Sequence, residues 1–389
     1  MRQLVIVMAL GASLMQAQNE PAPVRDGSYW TRTVHGQIDV SGLAGLRVET
    51  TGNVQVRGTG DPQAGYELRL RVKAGDAREA EALMRGFIVK TGTESGVAYI
   101  KVTPPRQVSG GLELTVTGPR ALRDVSVETR GGNVQASGWD GGLEARSAGG
   151  RIAVDGIRGH SELQTAGGDV QAGNVSGPLR IMSGGGAIRV DDAGSEAWLE
   201  TAGGEIVLHQ ASGPVHAATG GGNIRIDRAA STVFARTAGG LIQVGQAEGA
   251  VTAETSGGAI QVDAANGVRC ESAGGAIRLR NVAGALHVSA NSGNILAQLI
   301  AGRPFADSLL STNAGDITVF IPSNLALTIQ ATNETGGVGR IISDFAQVPV
   351  QTGSQPGMGA ATAQGALNGG GPVLRVNVVG GTIYLRREK

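Results

Sequence analysis

Five side chains that could hold a flat ligand recur at a regular interval in the middle of the chain. Aromatic rings and arginines are the residues that interaction hot spots favour. Only 3% of the chain is aromatic, so a regular row of rings is a specific feature. The first four members stand at every eighteenth position, and the five residues are Arg180, Trp198, His216, Phe234 and Arg269. In one line on a surface, they would form a platform able to bind a sugar face or a partner's side chains.

Two other interpretations of this row remain open. The rings could form a cross-strand ladder that only stabilises a sheet, by about 0.2–1 kcal/mol per pair. Alternatively, a flanking loop could cover them. The choice depends on the elements that carry the row.

Those elements follow from an internal repeat. A unit opens with Thr or Ser, a small residue and two glycines, and returns with an 18-residue period; we number its positions as slots from the Thr or Ser. Ten units at one period are typical of a solenoid or an array. The units begin at Thr129, Ser147, Thr165, Ser183, Thr201, Thr219, Thr237, Thr255, Ser272 (where the period is shortened by a single deletion) and the degenerate Ala290.

Each unit has the periodicity of short strands. Apolar residues alternate in slots 6 and 8 and in slots 15 and 17, whereas glycines in slots 3, 4 and 13 indicate turns. Equal unit lengths place Ile206, Ile224 and Ile242 on one another in the core, with slot 16 facing solvent. We therefore predict an all-β parallel β-helix, or β-solenoid, with 18-residue coils. The crossover rule favours right-handed winding. A left-handed hexapeptide helix has coils of the same length, but its six-residue subperiod is not clean here.

The N-terminus predicts export. One Arg precedes an apolar run from Leu4 to Met15, which indicates a signal peptide over residues 1–17 with cleavage after Ala17. A buried N-terminal strand is the alternative, and the run is short for a membrane span. We expect a mature chain without a transmembrane span in the periplasm, at the cell surface or outside the cell. Cys270, the single cysteine, is expected to be a buried small hydrophobe.

The regions on either side of the array have mixed strand patterns. We expect a β region at 28–128 with a short helix near "DAREAEALMRGF", the array at 129–300, and a β region at 301–389. Residues 346–371 are rich in Gly, Ala, Gln and Pro, which predicts a mobile loop. Because open sheet edges favour aggregation, the flanking regions are expected to cap the array.

Little in the sequence points to catalysis. The 33 basic and 33 acidic residues balance, which argues against a nucleic-acid partner. The paired glycines lack the Lys and helix of a phosphate loop and the third Gly of a calcium repeat. We therefore predict no catalytic, cofactor-binding or metal residues. The alternative is a polysaccharide lyase or hydrolase, and its best acid and arginine candidates are Arg189, Asp191, Asp192, Arg225, Asp227 and Arg228.

Three segments carry a family resemblance: "LELTVTGPRALRDVSVETRGGNVQASG", "ITVFIPSNLALTIQATNETGGVGRIISDF" and "LRVNVVGGTIYL". Through them the chain resembles a family of bacterial β-strand-repeat proteins of unknown function that are labelled "putative adhesin". The resemblance implies a β-solenoid outside the cytoplasm and brings no catalytic residues. The expected function is a non-enzymatic adhesion, binding or envelope structural module, with a glycan or an envelope protein as partner.

Overall fold

Strands dominate the fold. The computed structural model describes residues 21–106, 108–335, 340–351 and 360–388, and 62% of these residues are in strands. The chain divides into two compact units, Met1–Ala166 and Gly167–Lys389. This division falls inside the predicted array at 129–300. The predicted signal peptide at 1–17 lies outside the described residues, so its cleavage stays a prediction.

In its described residues, the first unit contains one helix and thirteen strands, and the strands pair in both antiparallel and parallel fashion. They are β1 (Val24–Asp26), β2 (Tyr29–Ile38), β3 (Gly45–Thr50), β4 (Asn53–Thr59), β5 (Ala64–Lys73), α1 (Ala77–Met84), β6 (Ile88–Glu94), β7 (Val97–Thr103), β8 (Gly110–Pro119), β9 (Asp124–Thr129), β10 (Val134–Ser137), β11 (Gly142–Ser147), β12 (Ile152–Asp155) and β13 (Ser161–Thr165).

The helix expected in the N-terminal region is confirmed as α1. Its cap is Asp76, whose carboxylate accepts the backbone N–H groups of Arg78 and Glu79, each at 2.9 Å. These are donors that the first turn of a helix otherwise leaves unpaired. Ala80 and Met84, which are buried, anchor one side of the helix.

An early copy of the repeat precedes the predicted array. β3 pairs in parallel with β9, so that Thr50 lies beside Thr129, and β4 pairs in parallel with β10, so that Val54 lies beside Val134. The sequence around Thr50, "VETTGNVQV", is close to "VETRGGNVQA" around Thr129. Strands β5 to β8 and α1 come between the two copies, so the early copy does not follow the 18-residue period.

The second unit is a long series of strands. They are β14 (Val170–Val175), β15 (Leu179–Ser183), β16 (Ile188–Ala193), β17 (Ala197–Thr201), β18 (Ile206–Ala211), β19 (Val215–Thr219), β20 (Ile224–Ala229), β21 (Val233–Thr237), β22 (Ile242–Ala247), β23 (Val251–Thr255), β24 (Ile260–Ser272), β25 (Ile277–Ser292), β26 (Ile295–Leu299), β27 (Ser308–Ala314), β28 (Ile317–Ile321), β29 (Leu327–Asn333), β30 (Ile341–Ser343), β31 (Val350–Gln351), β32 (Ala361–Leu367), β33 (Val373–Gly380) and β34 (Ile383–Arg387).

These strands form parallel ladders in the register that the repeat predicts. Ile206 lies beside Ile188 on one side and Ile224 on the other, and all three are completely buried. The shortened period before Ser272 is also present, because Ser272 lies directly beside Thr255 in the register. A long parallel sheet of regularly spaced strands, consistent with a solenoid-like repeat, is thereby confirmed.

One hydroxyl and one close backbone contact per repeat explain the Thr and Gly positions. The hydroxyl of Thr201 donates to the carbonyl oxygen of Gly186 in the preceding repeat at 2.9 Å, and accepts the N–H of Gly204 at 3.2 Å. The hydroxyl therefore satisfies two backbone groups in a buried turn. A side chain at Gly204 would collide with the Gly186 carbonyl, so the close approach of two repeats requires glycine there.

The predicted mobile loop at 346–371 is wrong for part of its length. Residues Ala361–Leu367 form β32, which pairs antiparallel with β29 and, through Val350–Gln351, with β31. Ala361, Ala363 and Leu367 are buried, so the small residues that indicated a loop pack instead against the sheet. Residues 352–359 of the predicted loop lie outside the described residues.

Candidate binding face

The predicted row lies on the outward side of a run of parallel strands. In β15, β17, β19, β21 and β23 the first, third and fifth residues are buried, whereas the second and fourth face outward. The second positions are slot 16 and the fourth positions are slot 18. We call the surface formed by these two columns the binding face; its residues are Arg180, Met182, Trp198, Glu200, His216, Ala218, Phe234, Arg236, Thr252 and Glu254.

Three rings in the slot 16 column form a continuous stack, which we call the aromatic ladder: Trp198, His216 and Phe234. The ring centroids of Trp198 and His216 are 3.8 Å apart with planes at 16°, and those of His216 and Phe234 are 4.8 Å apart at 7°. The parallel register places these residues directly beside one another on successive strands.

The ladder exposes ring edges more than ring faces. Because the three rings stack on one another, His216 has both of its faces covered. The guanidinium of Arg180 lies 5.3 Å from the Trp198 ring centroid and covers the outer face of Trp198. The indole Nε1 of Trp198 is buried and has no hydrogen-bond partner among the described residues. The stack agrees with the predicted row of rings, and its use as a platform for a ligand stays a prediction.

Arg269 is not part of the stack. Thr252 lies between Phe234 and Arg269 in the register, and the Arg269 guanidinium donates to Glu271 Oε1 at 2.7 Å. Of the five predicted residues, the structure therefore brings four together and leaves Arg269 two strands beyond the last ring.

The environment of His216 favours its neutral form. Its side chain is 25% exposed, and burial in the stack lowers the pKa of the imidazole. Glu200, whose Oε1 lies 3.8 Å from Nε2, raises this pKa, and Arg180 lowers it further. The net direction is downward, so the ladder is uncharged at neutral pH.

A groove follows the slot 18 column beside the ladder. One part, of about 520 Å³, runs from Met182 and Glu200 across Ala218 to Arg236, and a second part, of about 340 Å³, continues past Glu254 and Glu271 to Asn313. Both parts are lined by Arg236, Thr237 and Ser256. The repeat pattern alone did not indicate the groove, although slot 18 must share an outward face with slot 16 because side chains alternate between the two sides of a strand.

The acid and arginine candidates for catalysis lie on two other strands, β16 and β20. Asp227 accepts from Arg225 Nε at 2.8 Å and lies 2.7 Å from His209 Nδ1. Burial raises the pKa of Asp227, but the hydrogen bonds from Arg225 and His209 lower it more, so the net pKa is below its usual range. Asp227 is thus a paired carboxylate that lies outside the binding face.

Several other features bear on chemistry. Within the described part of the chain, no group of His, Cys, Asp or Glu is arranged to hold a metal ion. Cys270 is completely buried in β24, and burial raises the pKa of its thiol far above the usual range. Over the same residues, no helix has the length and apolar character needed to cross a membrane.

Several solved structures are similar to this chain, at TM-scores too low to argue function from. One, described as a putative adhesin from Bacteroides fragilis, is 15% identical over 63% of this chain and 94% of its own, with a TM-score of 0.32. A putative cell adhesion protein from Clostridium sporogenes is 8% identical over 92% and 100%, with a TM-score of 0.19. A putative lipid binding protein from Parabacteroides distasonis is 14% identical over 76% and 98%, with a TM-score of 0.27.

Sequence comparison matches one segment of the chain to a family model. No curated protein matches the chain. Residues 210–348 match the family model described as Toastrack DUF4097, and this segment includes strands β19 to β30 and one of the three segments on which the resemblance was based. The resemblance to a bacterial β-strand-repeat family is thereby confirmed, because residues 210–348 are similar to the Toastrack DUF4097 family.

Proposed function

We propose that this protein is an exported, non-enzymatic β-solenoid that binds an extended glycan along its binding face, in adhesion or as a structural element of the cell envelope. Its 18-residue units would each form one right-handed coil. The constant register offset from Val170 to Gln261 supports that coil length, and the general preference for right-handed parallel crossovers supports the handedness.

The observation that carries this proposal is the groove running beside the aromatic ladder. Both follow the direction in which the repeats stack, so equivalent positions recur about every 4.8 Å along the surface. A polymer of similar units lying along the groove would meet a recurring set of contacts. The groove is lined by charged side chains and by small ones, and the ring edges of the aromatic ladder lie in the neighbouring outward column. Together the two columns would suit the mixed C–H and hydroxyl surface of a sugar.

The charges of the groove favour binding over acid–base catalysis. Glu254 Oε2 lies 3.8 Å from Arg236 Nε, and Glu271 accepts from Arg269. A carboxylate paired with a guanidinium keeps acceptor oxygens for hydroxyl groups, so these two pairs suit the binding of a sugar. Arginines in turn donate to sugar oxygens.

A glycan array followed by calorimetric titration tests the proposal. The double variant Trp198→Ala with Phe234→Ala removes two rings of the ladder, and we expect it to bind the selected glycan at least about tenfold more weakly. Val207→Ala, on β18 and outside the binding face, is the matched control and should bind normally. Unchanged glycan binding by the double variant, together with a lower melting temperature, would leave the ladder as a structural device only.

The second expected partner is an envelope protein. A pull-down from envelope extract with the wild type and the same double variant compares the two partner classes. Capture of a protein that depends on the ladder, with no glycan bound on the array, would replace the glycan in this proposal.

A further inference from the structure

One ring face of the aromatic ladder is left uncovered. Phe234 stacks on His216 through one face. Among the described residues, no aromatic ring or guanidinium stacks on its other face, which points along the column towards Thr252. The opposite end of the ladder differs, because there the outer face of Trp198 is covered by Arg180.

The open face of Phe234 borders a notch of limited width. Phe234, Thr252 and Arg269 follow one another on β21, β23 and β24, so the backbones of Phe234 and Arg269 are about 9–10 Å apart. Thr252 is short, and the long side chains on either side of it leave a gap with Thr252 as its floor. Because His216 and Phe234 stack at 4.8 Å, the gap has room for about one further ring layer between Phe234 and Arg269.

Two arginine–glutamate pairs border the notch, so the charges around it sum to zero. Arg269 is paired with Glu271, and Arg236 with Glu254, which shares strand β23 and its outward side with Thr252. All four charged side chains remain at least one-third exposed, so they can still bond to a ligand. Arg236, Glu254 and Glu271 also line the groove, and the notch therefore opens onto it.

We propose that this notch binds one neutral pyranose ring of a glycan. The apolar C–H face of the sugar lies on the free face of Phe234, and its hydroxyl groups bond to Arg269, Glu254 and Glu271. This inference rests on the proposed function, because it names the class of sugar and its position at the Thr252 end of the binding face.

The chemistry of the notch argues against other flat ligands. An aromatic side chain would stack on Phe234, but it would displace the water that hydrates Glu254 and Glu271. It would offer no hydrogen bonds in return, so binding would cost free energy. An anionic sugar would place a carboxylate beside these two glutamates, and each arginine that could attract it already pairs with one of them. A neutral ring with one apolar face and several hydroxyl groups can stack on Phe234, bond to the glutamates and add no negative charge beside them.

The decisive variant fills the notch with a ring of the protein's own. Thr252→Phe extends the aromatic ladder by one member, so we expect its melting temperature to equal or exceed that of the wild type while the sugar is excluded. Phe234→Leu keeps apolar volume and removes the ring face. Thr252→Ser and Phe234→Tyr, which keep the notch open and the ring in place, are the matched controls.

Binding is measured by calorimetry with cellotetraose, maltotetraose and chitotetraose as neutral probes and tetragalacturonate as the anionic probe. We expect at least one neutral probe to bind the wild type and both controls, and to bind Thr252→Phe and Phe234→Leu at least about tenfold more weakly. Should one of these two variants not fold, the other still decides the question.

Three results would overturn the inference. In the first, Thr252→Phe and Phe234→Leu bind the neutral probes as tightly as the wild type, whereas Ala218→Trp, which fills the groove, binds them more weakly. The proposed function then stands, but the notch is not the binding site. If tetragalacturonate alone shows the dependence on Phe234 and Thr252, the ligand class is wrong. If no probe binds the wild type and the array is also negative, the proposed glycan function fails together with the inference.

Discussion

At the residue scale, the two glycines after Thr201 differ in what surrounds them. Gly204 lies against the backbone of the preceding repeat, where a Cβ would collide with the carbonyl oxygen of Gly186. Gly203 has no atom within 4 Å of the position that its Cβ would occupy. Neither has the positive φ that would itself require glycine, so contact with the neighbouring repeat is what separates them.

This difference gives a paired prediction. Gly204→Ala should lower the free energy of unfolding by about 1–3 kcal/mol, because the two repeats must move apart to admit the methyl group. Gly203→Ala should be neutral or stabilise by up to about 1 kcal/mol, because alanine restricts the unfolded chain more than glycine does. Urea denaturation of the two variants measures both values, and equal losses would show that the close approach at Gly204 does not matter.

His216 gives the ladder a pH dependence. Burial holds the pKa of its imidazole below the usual value of about 6.5. The unfolded chain therefore takes up a proton before the folded protein does as the pH falls. Stability from this group is fully present above the unfolded pKa and is lost as the pH falls through the folded one.

The variant His216→Phe should remove this term and keep the stack. We expect the melting temperature of the wild type to fall further than that of His216→Phe when the pH is lowered from about 7.5 to about 5. Taking the difference between the two proteins cancels the titration of groups far from the ladder. Parallel curves for both proteins would contradict the assigned role of His216.

At the scale of the element, each strand is held chiefly by its neighbours in the ladders. Ile224 on β20 is completely buried between Ile206 and Ile242. Ile224→Ala should cost about 2–5 kcal/mol, and Ile224→Asp should cost more because it buries an unpaired charge. Arg228→Ala, an exposed position on the same strand, is the control. Chemical denaturation of the three variants checks the order, and wild-type stability in Ile224→Asp would refute the assignment of slot 6 to the core.

The strands also show which features a sequence can predict. The slot 6 isoleucines and the slot 1 hydroxyls were predictable, because their spacing alone fixes which side of a strand they occupy. The pairing of β3 with β9 was not, since the helix and strands between Thr50 and Thr129 interrupt the period. Spacing also placed Trp198, His216 and Phe234 in one column, but side-chain rotation decides whether rings show faces or edges.

At the scale of the whole molecule, the question is whether the repeats of the second unit open together. Cys270 reports on this, because it is completely buried in β24 and lies between Ala253 and Val288 on the adjoining strands. Burial also raises the pKa of its thiol, so a thiol reagent reaches a reactive thiolate only after the surrounding strands open.

The continuous ladders from β20 through β22 to β24 lead us to expect cooperative opening. A destabilisation of about 2–5 kcal/mol at Ile224 should then speed labelling of Cys270 by about 30-fold to 4,000-fold when opening is rapid relative to labelling. Arg228→Ala should label at the wild-type rate. In a stack whose repeats contact only their neighbours, independent opening is the physical alternative. An unchanged labelling rate in a demonstrably destabilised Ile224→Ala would establish it, because the loss at β20 would then not reach β24.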